Sequence, residues 1–150
     1  MRKSTIVLAA LAVLGTANLA GAAVIEVKML NKGAEGFMVF EPSFVKAEAG
    51  DTVKFVATDK GHNVETIAGM LPEGASPVAG KMGQDLAVKF DKPGVYGVKC
   101  TPHYGMGMVA MVVVGMPTNQ DTAKAVNHPG KAKQIFTAMF GRLSSQAAAK

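Results

Sequence analysis

Between Val24 and Val114, apolar side chains recur at every second position in short runs, and turn residues separate the runs. Val24 to Met29, Thr52 to Val56, and Leu86, Val88 and Phe90 all follow this period. A period of two places the apolar side chains on one face of an extended strand, with the other face free for solvent. Gly50-Asp51 and Asp91-Lys92-Pro93-Gly94 supply turns between runs. Val95 to Lys99 and Val109 to Val114 read as further strands, the second apolar on both faces, as a strand in the middle of a core must be. Short strands at this spacing predict an all-β Greek-key sandwich over residues 23–115. The period changes after Gly115-Met116-Pro117. Thr118 is the expected N-cap of a short helix through Val126, and His128-Pro129-Gly130 breaks it. Ala132, Ile135, Phe136, Met139, Phe140 and Leu143 then fall on one helical face. The expected fold is therefore a sandwich with a C-terminal extension of two α-helices over residues 118–146, packed on it. The low-complexity stretch Ser144 to Lys150 is expected to fray.

The N-terminus carries a different signal. Arg2 and Lys3 precede an apolar run from Ile6 to Leu14, and small residues lead to Ala20-Gly21-Ala22. This is the pattern of a secretory signal peptide over residues 1–22, with a mature chain starting at Ala23. The run is too short, and too broken by Gly15, Thr16 and Asn18, for a membrane span of about 20 residues. Without its leader the chain keeps 128 of its 150 residues, enough for a single domain, and loses two positive charges, so its formal net charge falls from +5 to +3. That balance, without runs of consecutive lysines, speaks against nucleic acid as a partner and leaves an acidic protein open. Cys100 is the one cysteine, so an exported chain of this kind has no internal disulfide. Its thiol is buried and idle, reactive, or bound to something.

The residues around Cys100 choose between these. Cys100-Thr101-Pro102-His103-Tyr104-Gly105-Met106-Gly107-Met108 brings a thiolate, an imidazole and a thioether within nine residues, directly after a strand. A second imidazole, His62, follows a turn at Gly61. Thiolate, two imidazoles and a weak axial thioether form the donor set of a trigonal copper site. Each residue alone has a plainer explanation: a buried cysteine, a surface histidine, a methionine filling the core. Their conjunction in two loops that a sandwich can bring to one end favours the metal. Structural zinc prefers four Cys and His donors, and a thioether suits it poorly. Met108 sits where the next strand begins and is the expected axial donor; Met106, between Gly105 and Gly107, is expected on the loop surface. Pro102 has no N–H to offer the sulfur and stiffens the loop, and the Asn63 amide is expected to tie the two ligand loops together.

The chain resembles the pseudoazurins, a family of periplasmic cupredoxins. The resemblance is carried by Ile25 to Gly33, Met38 to Pro42, Asp59 to Glu65 and Val98 to Tyr104, with the Cys-Thr-Pro-His loop and the two C-terminal helices as the most specific features. It implies copper ligation by His62, Cys100, His103 and Met108, with Asn63, Thr101, Pro102 and Met38 around them and Met38 near the His103 ring. It also implies a docking face in which Gly61, Gly105, Met106, Pro102 and Met38 surround the His103 edge, rimmed by Lys32, Lys60 and Lys99. Ser76 to Ala79 carries no lysine where such proteins often do. The implied function is that of a monomeric periplasmic carrier of single electrons. It would serve an acidic redox protein such as copper nitrite reductase or, second, nitrous-oxide reductase. A copper-dependent enzyme would need another metal site, and only His128 is left over to build one. Copper delivery is the alternative function, though it favours flexible Met- or His-rich segments over a thiolate on a sheet.

Overall fold

The computed structural model describes residues 21–149; residues 1–20 of the expected signal peptide lie outside them. Eight strands run in order as β1 (Val24–Gly33), β2 (Gly36–Glu41), β3 (Phe44–Ala47), β4 (Thr52–Val56), β5 (Glu65–Thr66), β6 (Leu86–Lys89), β7 (Gly94–Lys99) and β8 (Val109–Val114). Helices α1 (Gln120–Lys124) and α2 (Gly130–Ala148) close the chain. Two four-stranded sheets face each other, β2-β1-β4-β6 and β3-β8-β7-β5. The parallel pairings β1 with β4 and β3 with β8 show the chain crossing between sheets, and the remaining pairs are antiparallel. This is the expected Greek-key sandwich.

β8 explains its own unbroken apolar run. Ala110, Val112 and Val114 point between the sheets, against Val27, Phe40, Phe55 and Tyr96. Val109, Met111 and Val113 point the other way, into a second cluster with Ala132, Phe136, Met139, Phe140 and Leu143 of α2. The helical extension thus covers a sheet face that would otherwise be an exposed apolar patch. Arg142 of α2 also stacks its guanidinium 4.5 Å from the Phe44 ring centre on β3.

Two expectations about this extension need correction. Thr118 is not the N-cap of α1: its hydroxyl donates to the Pro93 carbonyl, and Asn119 takes the cap position. The Asn119 amide does not cap the helix either, since it pairs with both the N–H and the carbonyl of Val95, tying α1 to β7. Second, most of the stretch Ser144 to Lys150 is not an irregular tail: Ser144 to Ala148 completes the last turns of α2, and Lys150 lies outside the described residues. The stretch is rich in alanine, the strongest helix former, and the Ser145 hydroxyl donates back to the Gly141 carbonyl. Among the described residues no helix is long and apolar enough to cross a membrane.

Candidate metal centre

β7 ends at Lys99, and Cys100 leads into a 3-10 helix spanning Thr101–Met106. Pro102 fits the first turn of that helix, where its missing N–H has no partner to lose. The tight turn carries His103 back over Cys100, with the His103 N–H donating to the Cys100 carbonyl at 3.2 Å. Gly107 ends the turn at φ 92°, a left-handed conformation that favours glycine. The chain then returns so that Cys100 N–H donates to the Met108 carbonyl at 2.9 Å, and Met108 N–H to the His103 carbonyl at 3.1 Å. His62 lies on the connection from β4 to β5, after Gly61, whose φ of 85° likewise favours glycine.

Three donor atoms converge. His62 Nδ1 and His103 Nδ1 are 3.1 Å apart, and the Cys100 sulfur lies 3.7 Å and 3.5 Å from them. A first-row ion about 2.0 Å from each nitrogen and about 2.3 Å from sulfur, at trigonal angles, sets such atoms about 3.5–3.7 Å apart. The triangle fits one ion. His62 and Cys100 are fully buried and His103 is half-buried. Met108 is fully buried in the same apolar cluster as Cys100, whereas Met106 is 51% exposed. Both methionines stand where the sequence puts them.

The protonation chemistry agrees with metal binding. His62 Nε2 lies 2.9 Å from the Asn31 side-chain oxygen, an acceptor only, so Nε2 carries the hydrogen and Nδ1 presents its lone pair. Burial, and next the neighbouring His103, push the His62 pKa down against the opposing pull of Asp59, which keeps the ring neutral and able to ligate. Burial pushes the Cys100 thiol up, more than the nearby backbone N–H groups of Asn63 and His103 lower it. A thiolate in this position calls for a cation beside it, which a metal ion supplies.

The remaining expected residues fall into two groups. Asn63 bridges the loops: its oxygen accepts the Thr101 N–H at 2.8 Å and its nitrogen donates to the Thr101 hydroxyl at 3.0 Å. Met38 is half-buried against the cluster that holds Cys100 and Met108, on a backbone with φ 52° that is rare for a side chain of its length. Gly61, Pro102, Gly105 and Met106 are exposed on the loops, and so is Lys60. Lys32 is exposed and sits 5.5 Å from the centre of the Phe37 ring. Lys99 is less free: its ammonium is 4.0 Å from Glu65 and 5.2 Å from the Tyr104 ring centre.

Four further residues, Asn31, Glu65, Tyr104 and His128, support the ligand loops without being donors. Asn31 sets the His62 tautomer, and its own N–H is held by Asp59 at 2.7 Å. Glu65 accepts from the Thr101 hydroxyl at 2.9 Å. Tyr104, on the ligand loop, places its hydroxyl 2.7 Å from His128 Nδ1, and His128 stacks on Phe136. Asn31, Lys32 and Gly33, none of them apolar side chains, break the alternation of β1, and that is the only local sign of Asn31.

A two-sheet sandwich with Cys, His and Met on one strand-to-strand loop and a second His on the connection that crosses from β4 to β5 defines a cupredoxin. The sequence matches the family described as copper binding proteins, plastocyanin/azurin family, over residues 27–115, and the chain belongs to that family. It is a blue-copper electron-transfer protein with copper as its cofactor. Within the family it falls among the pseudoazurins. It is 52% identical over 120 residues to pseudoazurin of Methylorubrum extorquens, covering 79% of this chain and 81% of the relative. Pseudoazurin of Paracoccus pantotrophus is 50% identical over 137 residues, covering 91% and 94%. The crystal structure of pseudoazurin from Methylobacterium extorquens AM1 superposes with a TM-score of 0.78 at 52% identity, covering 80% of this chain and 98% of that one.

Proposed function

We propose that His62, Cys100, His103 and Met108 would hold one copper ion, Met108 supplying the thioether, and that the chain is a soluble monomeric carrier in the periplasm. It is not itself an enzyme; it passes single electrons to an acidic redox protein such as copper nitrite reductase. The observation that carries this reading is the convergence of two imidazole nitrogens on a buried sulfur, all within 3.1–3.7 Å. Copper, when bound, supplies a one-electron couple between Cu(II) and Cu(I). The residues supply rigidity and access. The sheets and the 3-10 turn fix donors that suit both oxidation states, so little has to move when the electron does. Full burial of His62, Cys100 and Met108 keeps water from the sulfur. His103, half-buried between exposed Pro102, Gly105 and Met106, is the outlet. Lys32, Lys60 and Lys99 rim that outlet and favour an acidic partner, with Met38 beside the His103 ring. Export follows from the leader at residues 1–22.

The test mixes the reduced protein with copper nitrite reductase and follows electron transfer by stopped flow as salt is raised. A rate that falls steeply with ionic strength supports a steered, short-lived encounter. A rate indifferent to salt overturns the steering. Rapid passage of the copper ion itself to a copper-free acceptor would replace the carrier with a delivery protein.

A further inference from the structure

Glu65 opens β5 three residues beyond His62, and β5 pairs it in register with Lys99 of β7. Its carboxylate reaches Thr101, the residue next to Cys100, and accepts the Thr101 hydroxyl hydrogen at 2.9 Å. That hydroxyl has one hydrogen to give. Having given it to Glu65, it accepts from Asn63 Nδ2 at 3.0 Å. The Asn63 amide is thereby oriented, and its oxygen faces the Thr101 backbone N–H at 2.8 Å. Reversing the amide would set an NH2 group against that N–H, donor against donor. The direction of the hydrogen bonds in this ring is set from both ends, by the Thr101 N–H, which can only donate, and by the Glu65 carboxylate, which can only accept and takes the hydroxyl hydrogen that the link leaves over. The ring spans the site: Asn63 is bonded to His62 through one peptide link, and Thr101 to Cys100 through another.

We propose that Glu65 is a positioning residue for the copper site, acting through Thr101 and Asn63 on the spacing of His62 and Cys100 and, by its charge, on the balance between Cu(II) and Cu(I). The proposal rests on the ligand assignment above. The mechanism has two separable parts. As an acceptor, the carboxylate polarises the Thr101–Asn63 link that holds the two ligand loops together. As a negative charge close to the thiolate loop, it favours the more positive oxidation state, and Lys99, 4.0 Å away, offsets part of that effect. Glu65 and Lys99 side chains are 37% and 23% exposed, so solvent weakens the charge effect without abolishing it.

Two substitutions separate the parts. Glu65→Gln keeps an acceptor of the same shape and removes the charge; Glu65→Ala removes both. The copper-loaded proteins are compared by voltammetry, visible absorption, copper loss to a chelator, and the amide NMR shift of Thr101 in the Cu(I) state. Glu65→Gln is expected to raise the reduction potential with the visible band unchanged, and Lys99→Met to lower it. Glu65→Ala is expected to add a displaced Thr101 amide signal and about a tenfold weaker hold on copper. Equal potentials in parent and Glu65→Gln overturn the charge role. An unmoved Thr101 amide with unchanged copper retention in Glu65→Ala overturns the positioning role, and a lower melting temperature alone would leave Glu65 merely structural. The parent's own thiolate band tests the copper reading independently of either variant.

Discussion

At the residue scale, the site depends on side chains that never touch the ion. Asn31 accepts the His62 Nε2 hydrogen at 2.9 Å, and without it nothing in that contact selects the tautomer that presents Nδ1. Asn31→Leu is expected to weaken copper binding about tenfold, measured by competition with a chelator, with little change in melting temperature of the copper-free protein. The two methionines offer a sharper contrast. Met108→Leu removes a fully buried thioether of nearly the same volume, so the fold should survive while the reduction potential and visible spectrum shift. Met106→Leu, at a side chain 51% exposed, should leave both as they were. The opposite ranking would exchange their roles. The sequence made the ligand set legible because donor chemistry is carried by residue type: a thiolate, two imidazoles and a thioether in two loops have few other uses. Asn31 and Glu65 were not legible, because amides and carboxylates are common and their partners lie 31 and 36 positions away.

At the scale of elements, the ligand loop is clamped from outside by α2. A Cβ at Gly107 would stand 2.6 Å from Ile135 Cδ1, on a backbone whose φ of 92° already disfavours any side chain. Gly107→Ala is therefore expected to cost more than the roughly 1 kcal/mol typical of a backbone penalty alone, and to broaden or shift the visible band because the strain falls one residue from Met108. A band and melting temperature equal to the parent's would show that the loop yields freely. Phe136 tests the helix separately. It is 1% exposed between α2 and the outer face of β8, and Phe136→Ala should cost about 3–5 kcal/mol by denaturant unfolding of the copper-free protein. Strands with clear alternation were legible, as was the helical face of α2. β2 was not, because Val39 and Phe40 are consecutive and both buried, which breaks the period. β5 has only two residues, too few for a period to be read. The Thr118 cap failed for another reason: its hydroxyl is spent on the Pro93 carbonyl at the start of β7, beside the Asn119 contacts to Val95, a tertiary demand that local propensity does not record.

For the molecule as a whole, acid should act in stages. His62 and His128 are both held below the ordinary histidine pKa, chiefly by burial. The unfolded chain then binds more protons than the folded one, so stability is lost as pH falls below about 6.5. Asp51 extends the decline: the backbone N–H groups of Glu48 and Ala23, 2.8 and 2.7 Å from its oxygens, hold its carboxyl below the usual range. Its contribution is present above about 3.9 and is lost as pH drops through the lowered folded value. Thermal unfolding of the copper-free protein against pH should show both steps, with the lower one missing in Asp51→Asn. Processing bears on the same contact, since cleavage after Ala22 would turn the Ala23 N–H into an ammonium facing Asp51. The mature chain should then lose more stability than the uncleaved chain when Asp51 is replaced by Asn. The metal site itself is tested by visible absorption and EPR of residues 23–150 loaded with Cu(II), beside Cys100→Ser. An intense thiolate-to-copper band with narrow hyperfine splitting, absent in the variant, is the predicted result. A pale tetragonal spectrum that ignores Cys100 would mean that the thiolate does not bind copper and that the chain is no blue-copper carrier.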